Sequence, residues 1–253
     1  MKPFLSVVIP SYNESTNIKR RVLDEVLDYL KKQDYEWEIL LSDDGSTDDT
    51  VVGLKKFAKK DKRILVLENV HAGKGPTVQA GILKAKGEWV LFTDFDQSTP
   101  IAQIEKLWKF KDSHQVIIGS REIKGAKRDK EPLHRHIMGK GFNFLVQTLA
   151  IPGIYDTQCG FKMFTNKIAH DIFSKLVVYG RQKERSDAFT GAFDVEALFL
   201  ARKKGLGIKE VPITWHHNET DRVSPIKDSL RMLRDIIKIR VTDLLGKYPN
   251  LKN

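Results

Sequence analysis

The sequence predicts an α/β fold, a mostly parallel sheet covered by helices. Three observations carry this. Short apolar runs alternate with segments of helical periodicity through residues 1–119. Most of these runs end in polar loops rich in Asp, Asn, Gly or Ser. The chain has 253 residues, 41% of them hydrophobic, ample for one buried core. Strand and helix alternating at this spacing imply parallel strands joined by crossover helices. Ligands of such sheets sit beyond the carboxyl ends of the strands.

Leu5 to Ile9 is an apolar run closed by Pro10 and predicts a buried strand. Ile18, Val22, Leu23, Val26, Leu27 and Leu30 recur at helical spacing. Trp37 to Leu41 predicts a second strand, ending in the loop Ser42-Asp43-Asp44-Gly45-Ser46. Val51, Leu54, Phe57 and Ala58 mark a helix, with Thr47 or Asp48 as its expected N-cap. Ile64 to Leu67 predicts a third strand, and Gly73 and Gly75 open the loop before a helix over Thr77 to Lys86. Trp89 to Thr93 predicts a fourth strand, which delivers Asp94. A helix over Ile101 to Lys111 and a strand over Val116 to Ile118 complete the alternation.

After Gly119 the character changes. Arg121 to Arg135 is polar and strongly basic and predicts a mobile loop. Ile137 to Ala150 and Phe193 to Lys204 predict helices, and Val211 to Trp215 a strand. The last element is a long amphipathic helix. Ile226, Leu230, Leu233, Ile237, Val241 and Leu244 share one face, beside a stripe of Lys227, Arg231, Arg234 and Lys238. Such a face is expected to pack on its own domain. The stripe and the Phe142 to Ile154 segment are the candidates for contact with lipid. No internal repeat or low-complexity linker divides the chain, so residues 1–253 are expected to form a single domain.

Composition bounds the partners. Forty-three basic against 33 acidic residues give a net charge of +10, which favours an anionic partner. Cys159 is the single cysteine, which excludes an intrachain disulfide and a Cys-rich metal site and suits a reducing, cytoplasmic setting. No stretch reaches the roughly 18 to 20 apolar residues of a spanning helix, and the run from Phe4 to Pro10 is too short for a signal peptide. Membrane contact is therefore expected to be peripheral. Nucleic acid is not an expected partner, because no RNA-recognition motif accompanies the basic charge.

Asp94-Phe95-Asp96 follows directly on a predicted strand. Alternate residues of an extended chain point the same way, so the two carboxylates are expected to face one space. Such a pair suits a hard divalent cation, with phosphate oxygens completing the shell. By itself the motif also fits two solvated loop aspartates. Asp43-Asp44-Gly45-Ser46 lies at the end of the second strand, where carboxylates can accept hydrogen bonds from a base or ribose, or can simply build an Asp-Gly turn. Pro10-Ser11-Tyr12-Asn13-Glu14 ends the first strand; Tyr12 could stack on a base or pack in a capped helix start.

Together these loops resemble the signature of family 2 inverting glycosyltransferases with the GT-A fold, and Gly73-Lys74-Gly75 matches it too. The resemblance runs from about Leu5 to Arg240. It implies a nucleotide-sugar-binding half, 1–119, and an acceptor-side half, 120–253. In the second half, Ile118-Gly119-Ser120-Arg121, Asp156-Thr157-Gln158-Cys159-Gly160-Phe161-Lys162, Phe193-Asp194-Val195-Glu196 and Arg222-Val223 resemble the polyprenyl-phosphate branch. The run from Asp156 to Lys162 is most similar to dolichyl-phosphate glucosyltransferases; the mannose synthases share the plan.

The resemblance implies that Pro10, Tyr12, Glu14, Asp43, Asp44, Lys74 and Asp94 bind the nucleotide. It implies that Asp94 and Asp96 hold Mg²⁺ or Mn²⁺ and serve the diphosphate. Arg121, Arg135 and Arg222 would hold phosphates of donor or acceptor, the acceptor phosphate above all. Gln158, Asp194 and Glu196 are the candidates for the sugar, while Asp194 and Glu196 also fit charges placed at a helix start. Asp96, Arg121 and Asp156 are the expected catalytic residues. The donor would be a UDP-hexose, with GDP-mannose as the alternative. The acceptor would be a polyprenyl phosphate at the cytoplasmic face of a membrane. In one respect the sequence departs from the mannose synthases. The glutamine that helps bind metal two places after their second aspartate is Ser98 here, with Gln97 before it.

Elementary chemistry points the same way. A sugar hydroxyl needs a positioned general base, for which Asp156 and Asp194 are candidates. A phosphate monoester, whose second pKa is about 6, is already ionised and needs cations to place it. Arg121, directly after a predicted strand, is the favoured cation.

Overall fold

The structure, a computed structural model, describes residues 2–129, 146–148, 150–180, 191–217 and 225–249, with the backbone alone over 225–229. Seven strands form one sheet: β1 (Leu5–Ser11), β2 (Trp37–Asp43), β3 (Ile64–Glu68), β4 (Trp89–Thr93), β5 (Val116–Ser120), β7 (Phe161–Thr165) and β8 (Ile208–Pro212). Their order is β3-β2-β1-β4-β7-β5-β8. All neighbours run parallel except β7, which is antiparallel to both β4 and β5. A separate two-stranded ladder pairs β6 (Lys127–Arg128) with β9 (Thr214–Trp215).

The described helices are α1 (Ser15–Lys19), α2 (Val22–Leu30), α3 (Thr50–Ala58), α4 (Lys74–Lys84), α5 (Ile104–Trp108), α6 (Asn166–Ser174), α7 (Phe193–Lys203) and α8 (Pro225–Leu244). The two-residue period of the strands sorts their side chains into two cores. Leu5, Val7 and Ile9 join α2, α3 and α5 on one face, while Val8, Val90 and Phe92 join α4, α6, α7 and α8 on the other. The mostly parallel, helix-covered sheet is thus as the sequence predicts.

Several local expectations are corrected. The periodic segment 18–30 is two helices, because Arg21 adopts φ 63° and a left-handed residue cannot continue a right-handed helix. The helix expected at Thr77 begins at Lys74, and Gly73, at φ 94°, precedes it. Helix α3 is preceded by Asp49, although the Asp48 carboxylate accepts from the Thr50 N–H at 2.9 Å. The helix expected over 101–111 is a 3₁₀ turn, Ile101–Gln103, followed by α5. Val211 to Trp215 divides between β8 and β9, and the expected basic loop carries β6. Of the helix predicted over Ile137 to Ala150, residues 146–148 are helical and most of the remainder lies outside the described residues.

The largest correction concerns α8. Of its predicted apolar face, Leu233 is half-buried and the side chain of Ile226 lies outside the described residues. Leu230 (64% exposed), Ile237 (49%), Val241 (46%) and Leu244 (78%) face outward, while Asp235, Ile236 and Ile239 are buried.

Candidate active site

The carboxyl ends of β1, β2 and β4 converge, because β1 lies between the other two. At the first two, register sets Ser11 beside Asp43. The buried Asp43 carboxylate accepts from the Ser11 hydroxyl at 3.0 Å, and from the Ser46 amide at 2.8 Å and hydroxyl at 2.6 Å. Asp44 is buried too and organises the next loop. It accepts from the backbone N–H of Ala72 (2.8 Å) and Gly73 (3.1 Å), and His71 Nδ1 lies 2.9 Å from it. Tyr12 stacks on the His71 ring at 4.3 Å, with 7° between the planes. His71 was not among the residues singled out from sequence, although the Gly73-Lys74-Gly75 motif lies two residues further on. Its Nε2 is buried without a hydrogen-bond partner among the described residues. Asn13, at φ 52°, and Glu14 tie the β1 loop to α3: Thr50 Oγ1 accepts from the Glu14 N–H at 2.6 Å.

After β4 the chain turns instead of staying extended, and the Gln97 N–H donates to the Asp94 carbonyl at 3.3 Å. Phe95 is buried, and Asp94 and Asp96 on either side are half-buried. Lys74 Nζ donates to Asp94 Oδ1 at 2.5 Å. Burial would lower the lysine pKa, but the carboxylates of Asp94, Asp194 and Asp96 outweigh it and raise it above the ordinary range. Behind Asp94 lies Gly160, whose carbonyl accepts from the Asp94 N–H at 3.1 Å. A Cβ on Gly160 would stand 2.0 Å from Asp94 Oδ2. Ser98 orients Asp96 through its amide and its hydroxyl, each at 2.9 Å. Gln97, at φ 49°, turns its amide nitrogen onto the Asp94 carbonyl at 2.8 Å. Both residues at the departure from the mannose synthases therefore shape the aspartate loop.

Asp94 and Asp96 offer hard oxygen donors, and a cation already lies against Asp94. Among the described residues no cluster of three His, Cys, Asp or Glu side chains could hold a metal. A divalent ion at this pair would need further oxygen ligands from outside these two side chains.

On the acceptor side, Arg121 and Asp156 form a bidentate pair, Nε to Oδ2 and Nη2 to Oδ1, both at 2.8 Å. The Arg121 N–H donates to the same carboxylate at 2.8 Å. Glu210 in β8 fixes the loop by accepting from the N–H groups of Tyr155 and Asp156, each at 2.9 Å. Burial alone would raise the Asp156 carboxyl; the Arg121 guanidinium outweighs it and holds it below the ordinary carboxylate range. A carboxylate so engaged is a poor proton acceptor. The geometry favours Asp156 as the residue that aims Arg121.

Asp194 lies in the first turn of α7, near Lys74, because Gly75 packs against Phe193. Its partner is Lys162, fully buried on β7, with Nζ 3.1 Å from Oδ1. Burial pushes the Asp194 carboxyl up, against the pull of Lys162 and Lys74. Lys162 also donates to the Cys159 carbonyl. It carried no role in the sequence reading, yet a lysine inside the Phe161–Phe164 run is the one signal that could have marked it.

Glu196 does not reach the site. It is fully buried, and it accepts from the N–H groups of Val177, Val178 and Tyr179 and from the Tyr248 hydroxyl at 2.8–2.9 Å. Its expected sugar contact is corrected to a structural clamp. Gln158 Nε2 lies 3.7 Å from Met232 Sδ, which sets α8 against the Asp156–Lys162 loop. Arg135 and Arg222 lie outside the described residues.

Comparison with known proteins adds to this geometry. The family model described as Glycosyl transferase family 2 matches residues 6–173. A dolichyl-phosphate beta-glucosyltransferase of Dictyostelium discoideum is 34% identical, over 96% of this chain and 76% of that protein. The Homo sapiens protein of the same name is 35% identical, over 96% and 77%. Among solved structures, glucosyl-3-phosphoglycerate synthase from Mycobacterium tuberculosis, in complex with Mn²⁺, UDP and glucosyl-3-phosphoglycerate, superposes with a TM-score of 0.60 at 17% identity. The match covers 98% of this chain and 81% of that one. Mannosyl-3-phosphoglycerate synthase from Rubrobacter xylanophilus gives 0.65 at 15% identity, over 99% and 77%. At such identity these structures speak for the GT-A fold alone.

Proposed function

We propose a function for this chain on the ground that it belongs to glycosyl transferase family 2. The chain is a glycosyltransferase. It moves glucose from UDP-glucose to the phosphate of a dolichol-like polyprenol, with inversion at the anomeric carbon. The names of its relatives support glucose and the lipid phosphate. The observation that carries the acceptor class is the buried Arg121–Asp156 pair. It aims a guanidinium and commits the neighbouring carboxylate to it. That serves an acceptor which is already ionised and needs placing more than deprotonating.

The chain's own residues divide the work. The Tyr12 to Glu14 and Asp43–Asp44 loops, closed by the Tyr12–His71 stack, receive the nucleoside. Asp94 and Asp96 would hold Mg²⁺ or Mn²⁺, which would neutralise charge on the departing diphosphate. Asp194, kept in place by Lys162, faces the hexose, and Gln158 joins it. Arg121, with Arg135 and Arg222, orients the lipid phosphate for in-line attack.

No described helix is long and apolar enough to cross a membrane. The outward stripe of α8 supports contact with the lipid surface instead. We place the protein at the cytoplasmic face, which suits the free Cys159.

The test is a panel of UDP- and GDP-sugars with Mg²⁺ or Mn²⁺ and a short polyprenyl phosphate, followed by analysis of the lipid product. The expected product is the β-glucosyl phosphate lipid from UDP-glucose. Transfer to soluble saccharides with none to the lipid would overturn the acceptor. Transfer from GDP-mannose alone would overturn the donor.

A further inference from the structure

We propose that Lys74 stands in for the metal at Asp94 until the metal–nucleotide complex arrives, and then turns to the diphosphate as its second cation. The inference rests on the metal-dependent reading above. It begins from the contact itself. Lys74 Nζ lies 2.5 Å from Asp94 Oδ1, and the two side chains are 26% and 34% exposed, so the pair sits at an open mouth. A divalent ion bound to this carboxylate at about 2.1 Å would stand within a few ångströms of the ammonium group, and the two positive charges repel. That repulsion drives one of them away.

The surroundings decide which group moves. Asp94 cannot withdraw. Gly160 lies directly behind its carboxylate, where even a Cβ would come within 2.0 Å, and the Asp94 N–H is tied to the Gly160 carbonyl at 3.1 Å. The Lys74 backbone is equally fixed. It opens α4, and the preceding Ala72 and Gly73 amides are bound to the buried Asp44 carboxylate at 2.8 and 3.1 Å. What remains free to swing is the four-carbon stem of Lys74. Asp194 and Asp96 lie within electrostatic reach of it, so the ammonium does not leave into a region of like charge. An arriving diphosphate offers it a stronger partner than either.

Lys74 thereby makes metal binding depend on the nucleotide. Free Mn²⁺ has to displace an ion pair with no compensation, whereas Mn²⁺ with UDP brings the displaced lysine a new acceptor. Mn²⁺ binding, read by loss of the free-ion electron paramagnetic resonance signal with and without UDP, tests this. In wild type, UDP is expected to tighten Mn²⁺ binding strongly. In Lys74→Met, free Mn²⁺ should bind about tenfold more tightly than in wild type, because a unit charge a few ångströms away is gone. The added effect of UDP should shrink. Lys74→Arg keeps the charge and should bind free Mn²⁺ as weakly as wild type. Asp94→Asn should weaken binding in either background.

Equal affinity for free Mn²⁺ in wild type and Lys74→Met, both lost in Asp94→Asn, would overturn the role of Lys74 and leave the metal site standing. Absence of Mn²⁺ binding in wild type and in Lys74→Met, with and without UDP, would overturn both. Circular dichroism of each variant confirms that the fold is retained.

Discussion

At the scale of a residue, Gly160 shows how little space the site leaves. Its hydrogen faces the Asp94 carboxylate, and a methyl group there would overlap it. Gly160→Ala is expected to cost about 100-fold or more in turnover, since misplacement by about 1 Å has that effect. Circular dichroism should report an intact fold; near-wild-type turnover would show that Asp94 does not need its present position. Asp156 gives a second expectation. Its carboxyl is depressed in the folded state, so it contributes stability above the unfolded value, near 3.9, which is lost as the pH falls through the folded one. Asp156→Asn should lower stability at neutral pH and flatten the acid loss below about pH 4. Urea melts across that range check it, and parallel acid limbs in the two proteins would contradict it. Asp94 and Asp96 were legible in the sequence because they follow directly on the apolar run of β4. Glu196 was not: its partners Val177 to Tyr179 and Tyr248 reach it across the fold.

At the scale of an element, α8 is the instructive case. Two faces of this helix carry apolar residues. The wider one, with Leu230, Ile237, Val241 and Leu244, faces outward, and the narrower one, with Ile236 and Ile239, is buried beside Asp235. The sheltered Asp235 is affordable because the Tyr179 hydroxyl donates to it at 2.6 Å. Arg234 and Lys238 border the exposed stripe, a combination that suits an anionic lipid surface. Ile237→Glu with Leu244→Glu should therefore reduce sedimentation with phosphatidylserine vesicles at least tenfold. The melting temperature should stay nearly unchanged, because exposed positions contribute little to stability. Undiminished vesicle binding would remove the stripe from the interface. Strand β7, like β6 and α6, is an element that the sequence reading missed. Lys162 interrupts its apolar run, and what makes Lys162 admissible there is Asp194, supplied by a distant helix.

At the scale of the whole molecule, the contacts in residues 1–119 are built from near neighbours, and those of the described residues beyond them from distant ones. Strands β1 to β4 each end in the loop that carries their chemistry, or in the loop that braces the next. Beyond β5 the chain reverses: β7 enters antiparallel between β4 and β5 and carries Gly160 to Asp94 and Lys162 to Asp194. One strand thus joins the Asp94 loop to Asp194 at the start of α7. Residue pattern was enough for the fold class, the first four strands and the position of the aspartate pair, because hydrophobic period and turn residues act over a few positions. The antiparallel strand, the outward face of α8, the clamping role of Glu196 and the pairing of Asp156 with Arg121 were decided by tertiary structure. Each depends on which side chains a folded chain brings together across 15 or more residues, where burial selects partners that local pattern does not specify.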